Sequence, residues 1–141
     1  MDDEELLPEE LKRRRKIQHE AAEAAYIERY KLRLKRGILV GAIGSAFISA
    51  FVPGSWFWPI FMALVGGACG FYVVRNEAGH LIGISLFGVT AALVSLTHVN
   101  FAGIKDVGTG FIIVTTWLFH MILGWLVTTL SQEQRSREES F

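Results

Sequence analysis

The sequence contains one cysteine, Cys69, and three prolines in 141 residues. A lone cysteine excludes an intramolecular disulfide and any zinc-ligand spacing, and its place inside an apolar run marks it as a small buried side chain. No Asp, Glu, Lys or Arg occurs in four long stretches, Ile38 to Val52, Phe57 to Val74, Leu81 to Val99 and Phe111 to Leu130. Also missing are a nucleophile beside a base, a phosphate-binding loop and a dinucleotide-binding glycine pattern, so no enzymatic activity is expected. The start, Met1-Asp2-Asp3-Glu4-Glu5 followed by more charge, lacks the basic residues and short apolar stretch of a secretory signal.

What the chain does have is apolar surface. Hydrophobic residues make up 51% of it, more than a soluble domain usually carries, which points to lipid as the solvent. The formal net charge of zero conceals a segregation: residues 1–36 hold ten of the fourteen Lys and Arg and nine of the fourteen acids. The expected fold is therefore all-α, a polytopic membrane protein. It has a bundle of four transmembrane helices and a long N-terminal cytoplasmic helix.

The four uncharged stretches set the expected spans, about 38–52, 57–74, 81–99 and 111–130, within a membrane domain 37–130. A helix needs about 20 apolar residues to cross about 30 Å of hydrocarbon. The last two stretches meet this, whereas the first is short and spans only if Lys35 and Arg36 snorkel while Trp56 and Trp58 anchor its far end. A re-entrant hairpin of the first two runs is the alternative. Pro53-Gly54-Ser55 breaks the first pair of runs, Arg75 to Gly79 the second, and Val99 to Gly110, with Lys105 and Asp106, the third. Trp56, Trp58 and Trp125 suit an interfacial belt, while Trp117 lies deeper and is expected to pack.

Four spans place the N-terminal segment, the Arg75 loop and the 131–141 tail with Arg135 and Arg137 on one side, which collects thirteen of the fourteen basic residues. Positive charge resists translocation, so both termini are expected in the cytoplasm, or in the matrix or stroma. The membrane is then a bacterial inner membrane or that of an organelle.

Residues 1–36 are expected to form a charged helical stalk, since no further proline or glycine interrupts Pro8 to Arg36 and alanine, Glu, Lys, Arg and Leu dominate. Glu9 with Arg13 and Glu10 with Arg14 stand four apart, worth about 0.2–0.5 kcal/mol per pair. Ile17, Ala21, Ala24, Ala25 and Leu32 draw a narrow stripe fit for a partner helix. Unbroken, such a helix would reach about 40 Å from the bilayer. The basic residues nearest the membrane, Arg29, Lys31, Arg33, Lys35 and Arg36, are expected to meet anionic lipid at about 1 kcal/mol each. Nucleic acid is not an expected partner, because acids flank the Lys12 to Lys16 cluster and no aromatic stacking platform accompanies it.

Small residues recur at helical spacing, and in lipid they mark where helices approach closely. The expected packing positions are Gly37, Gly41 and Ser45 with Ser49; Gly66 and Gly70 with Ala63 and Gly67; Gly88 and Ala92 with Ser85 and Ser95; and Gly124. In the last run Thr116, His120, Gly124 and Thr128 step by four, and Ser45, Thr90 and His120 fall at similar depth as a polar layer. His120 is read as a neutral imidazole hydrogen-bonded inside the bundle.

A sharper alternative makes His120 an axial ligand to haem or chlorophyll, although His80 and His98 lie near the ends of their run and offer no second ligand at its depth. A proton relay is another, without a membrane carboxylate to work with. No cofactor is expected by default. These features together point to a non-catalytic subunit, scaffold or assembly factor of a larger membrane complex, with lipid and other subunits or copies of itself as partners. A small homo-oligomeric channel or carrier is the next reading, and a haem or pigment subunit the third.

Overall fold

The structure, a computed structural model, describes the backbone of residues 8–52, 56–102 and 107–139 and the side chains of 8–52, 56–97 and 107–137. The described residues form four helices: α1 (Pro8–Ser49), α2 (Phe57–Arg75), α3 (His80–Ala102) and α4 (Val107–Glu139). The Pro53-Gly54-Ser55 hairpin, Lys105, Asp106 and the side chain of His98 lie outside the described residues. By length and composition three helical segments can cross a membrane: Phe57–Arg75, His80–Thr97 and Val107–Arg137.

The first uncharged stretch is not a separate helix. It is the C-terminal part of α1, which continues through Arg36 and Gly37 to Ser49 without a break. Its uncharged helical part, Gly37 to Ser49, would rise only about 20 Å, short of about 30 Å of hydrocarbon. Two compact units divide the chain, Met1–Leu32 and Arg33–Phe141, so the boundary falls within α1, four residues before the expected one.

In the first unit, Pro8 opens α1 and Glu9 and Glu10 occupy its first turn, where the helix dipole favours acids. Among the described residues, the ion pairs on this surface include Lys16 with Glu20 at 4.0 Å and Lys31 with Glu28 at 3.3 Å. Glu9–Arg13 and Glu10–Arg14 do not form, which costs little, since exposed side chains trade a weak attraction for rotamer freedom. Ile17, Tyr26, Ile27 and Leu32 remain exposed.

In the second unit the neighbouring segments run antiparallel. Gly37 faces Gly70 and Val74 while Gly41 faces Gly66, which sets the end of α1 against α2. Gly83 faces Gly124 and Thr128 while Gly88 faces Met121, which sets α3 against α4. Cys69 and Thr90 link α2 to α3 at 3.6 Å, and Gly44 meets Leu123 between α1 and α4.

The ends of α4 differ most from expectation. α4 starts at Val107, four residues early, and runs to Glu139 through most of the expected tail. Nothing in Ser131 to Glu139 stops a helix, and Arg137 pairs with Glu133 one turn back at 2.6 Å. α2 ends in a left-handed cap: the amide of Glu77 donates to Val74 and that of Ala78 to Val73, with Glu77 at φ 49° where glycine is usual.

The surface of this unit is inverted relative to a water-soluble bundle. Leu64 is 71% exposed, Ile43 65% and Phe47 66%, and Leu81, Leu93 and Phe111 also point outward. The buried set includes Ser45, Ser49, Thr116, His120 and Thr128 alongside Phe87, Val73, Val74 and Val127. In water so much outward apolar surface would drive association, whereas hydrocarbon solvates it without cost.

Candidate functional site

Among the described residues the buried polar groups lie on two helices, Arg33, Ser45 and Ser49 on α1 and Thr116, His120 and Thr128 along one face of α4. Thr116, His120 and Thr128 lie four or eight residues apart, so the 3.6-residue turn places them on one side, with Gly124 between. Thr128 satisfies itself by donating to the Gly124 carbonyl at 2.8 Å. His120, 1% exposed, donates from Nδ1 to the Thr116 carbonyl at 2.8 Å. With Nδ1 donating, the neutral ring presents Nε2 as an acceptor, and that atom is buried without a partner.

His120 lines a cavity of about 30 Å³ whose polar walls are Ser49, Ser95 and Thr116, with Trp58, Met62 and Ala91 among the apolar ones. A water needs roughly 10–15 Å³ of such space, so the cavity has room for water. A porphyrin does not fit: pockets for drug-sized ligands begin near about 300 Å³. Nε2 has the right chemistry to ligate haem or chlorophyll, but the space at His120 does not suit either.

Ser45, Thr90 and His120 do not bond to one another. Ser45 Oγ is buried without a partner against Gly66, Thr90 donates to the Leu86 carbonyl and contacts Cys69, and His120 turns to Thr116. Thr90 and His120 each bond the carbonyl four residues back, which is closer than a neighbouring helix, and only Thr90 also reaches across, to Cys69.

Of the expected packing positions, Gly37, Gly41, Ser45, Ser49, Gly66, Gly67, Gly70, Gly88 and Gly124 are buried, whereas Ala63 and Ala92 are half-buried. Ser85 is exposed, which corrects the face assigned to α3. The buried stripe there runs Gly83, Phe87, Ala91, stepping by four, with Gly88 beside it. Gly83 and Gly44 escaped notice because neither belongs to the small-residue series in its run. A Cβ on Gly83 would collide with Thr128 Oγ1, and one on Gly44 would meet Leu123 Cδ1 at 2.6 Å.

Trp117 is half-buried, and its indole donates to the Gly88 carbonyl at 2.7 Å, which fastens α4 to α3. His80 Nε2 lies 3.1 Å from Thr129 Oγ1, near Trp125.

Among the described residues, Arg33, Arg36, Arg75 and Arg135 share one end of the bundle. Gly37 lies against Val74, one residue from Arg75, and Arg135 pairs with Glu77 in the turn after α2. Within the expected membrane-surface set, Arg29, Lys31, Lys35 and Arg36 are exposed but Arg33 is only 3% exposed. Arg33 and Arg36 line a pocket of about 260 Å³ together with Ser131 and Gln134 of α4. Among the described residues, no three His, Cys, Asp or Glu side chains cluster to hold a metal.

No protein-family model, curated protein or solved structure matches this chain.

Proposed function

We propose that this chain is an integral membrane protein of four spans, with α1 from Gly37 onward as the first, and that it serves as a non-catalytic subunit, scaffold or assembly factor. The observation that carries the proposal is the inverted surface: bulky apolar side chains outside, glycine and short polar side chains between the helices. That arrangement supports a unit whose helices hold each other by close backbone approach and whose outer faces are left for lipid or neighbouring subunits. Trp56 and the Phe57 to Phe61 cluster supply an aromatic boundary that lengthens the short first span.

The gathering of Arg33, Arg36, Arg75 and Arg135 at one end supports an even number of spans with both termini on the cytoplasmic, matrix or stromal side. Exposed Ile17, Tyr26, Ile27 and Leu32 on the otherwise charged N-terminal helix support docking to another subunit. Extraction in mild detergent tests this: a stoichiometric complex is expected that is weakened by Ile17→Glu and Ile27→Glu. Isolated monomer alone counts against the subunit role. Reporter tags at the two termini are expected in the same compartment, and opposite compartments would remove the fourth span.

A second reading, a small homo-oligomeric channel or carrier, draws on the unpartnered His120 Nε2 and the hydroxyl-lined cavity beside it. Flux across liposomes that disappears in His120→Leu would favour it.

A further inference from the structure

His120 combines an unpartnered nitrogen with adjacent open space. The ring is 1% exposed, and because a carbonyl has no proton to give, the 2.8 Å contact to Thr116 fixes Nδ1 as the protonated nitrogen. Nε2 is then a bare lone pair, buried and without a partner. Ser45 Oγ is also buried and unpartnered, but it is packed against Gly66 so closely that a Cβ there would collide with it. His120 instead lines a cavity of about 30 Å³. All four helices contribute to its wall: Ser49 of α1, Trp58 and Met62 of α2, Ala91 and Ser95 of α3, and Thr116 of α4.

The size of the cavity selects its occupant. A buried water needs roughly 10–15 Å³ and a few polar partners, whereas drug-sized ligands need roughly 300 Å³ or more. A water also has the right chemistry, since it can donate to a bare ring nitrogen, while the hydroxyls of Ser49 and Ser95 can both give and accept. We propose that this cavity binds an ordered water that donates to His120 Nε2 and is held on its other side by the Ser49 and Ser95 hydroxyls. Such a water links α4 to α1 and α3 at the place where the four helices meet. A buried acceptor left unmade costs its full desolvation, and a bridging water recovers nearly a direct hydrogen bond for a small loss of its own freedom. The site is independent of both functional readings, because a bridging water holds whether the chain conducts or only packs.

The test uses the full chain in detergent, isotope-labelled at its four histidines, with the His120 resonances assigned by their loss in His120→Leu. Nuclear magnetic resonance is expected to show a protonated Nδ1, an unprotonated Nε2 that accepts a hydrogen bond, and magnetisation transfer from a long-lived water to the carbon-bound ring protons. Ala91→Val fills the cavity, so the transfer should be lost and the Nε2 resonance should move toward that of a nitrogen free of hydrogen bonds. Thr128→Val, on the same face of α4 but outside the cavity lining, should leave both unchanged. If Ala91→Val does not fold, Ser95→Val decides, since Ser95 is only half-buried and the change removes a hydroxyl while adding volume. Absence of transfer from water to an Nδ1-protonated ring overturns the proposal, because the nitrogen is then dry. So does a protonated Nε2, which would be a donor, or transfer that persists in both Ala91→Val and Ser95→Val, which would place the water elsewhere.

Discussion

Gly41 and Gly66 stand back to back across α1 and α2, each so near the other's carbonyl oxygen that a Cβ on either would collide with it. One turn away a Cβ on Gly70 would likewise collide with the Gly37 carbonyl, while one on Gly37 would collide with the Val74 side chain. Such contact gains dispersion energy along the whole turn, which in lipid is the main attraction between helices.

Adding one methyl group at this contact must push the helices apart. Gly41→Ala or Gly66→Ala is expected to cost about 1–3 kcal/mol, as overpacking of a tight core does. The measurement is the unfolding midpoint in detergent. An unchanged midpoint for both variants would mean that α1 and α2 do not approach as described.

The register of α3 separates two small residues only two positions apart. Gly83 is pressed against Thr128, while Ser85 is exposed on the opposite face. Gly83→Val is expected to lower the unfolding midpoint sharply, whereas Ser85→Val leaves it within the range of a surface change, about 0.5 kcal/mol. The reverse order would restore the face through Ser85 that the sequence pattern suggests.

His120 offers a choice between packing and transport. Leu in its place fills similar volume and removes an unpartnered buried nitrogen, so the stability of His120→Leu is expected to stay within about 1 kcal/mol of the parent. His120→Ala leaves a hole and should cost about 2 kcal/mol or more. If His120→Leu instead abolishes flux in liposomes while folding normally, the channel reading gains over the structural one.

Glu77 and Arg135 tie the turn after α2 to the C-terminal part of α4, but both side chains are nearly half exposed, 44% and 47%. Solvent screening limits such a pair to about 0–1 kcal/mol, so Arg135→Gln should shift stability only slightly and the shift should shrink in high salt. Glu77→Gly loses the pair but relieves the left-handed backbone, φ 49°, and is expected to be nearly neutral or stabilising. A loss of several kcal/mol in Arg135→Gln would show that this end depends on the pair.

Much of the architecture was legible from residues alone. Three of the four long runs without charge give helices of membrane length, since hydrocarbon demands internally satisfied backbone, and the uninterrupted Pro8 to Arg36 segment gives a helix by composition. The helix ends were less legible. Gly108 and Gly110 lie inside α4, where glycine resembled a loop signal, and α1 joins a charged and an apolar stretch that composition separates.

Composition and periodicity by themselves determined that this chain is helical, that its apolar stretches suit a bilayer, and that its basic charge is unevenly distributed. Tertiary structure alone decided that Gly83 and not Ser85 faces α4, that Arg33 is buried while Lys35 is not, and that Ser45, Thr90 and His120 remain unlinked. The reason is physical. Lipid solvates every apolar side chain about equally, so hydrophobicity cannot choose a buried face, and that choice falls to the shape and donors of the helix that happens to lie opposite.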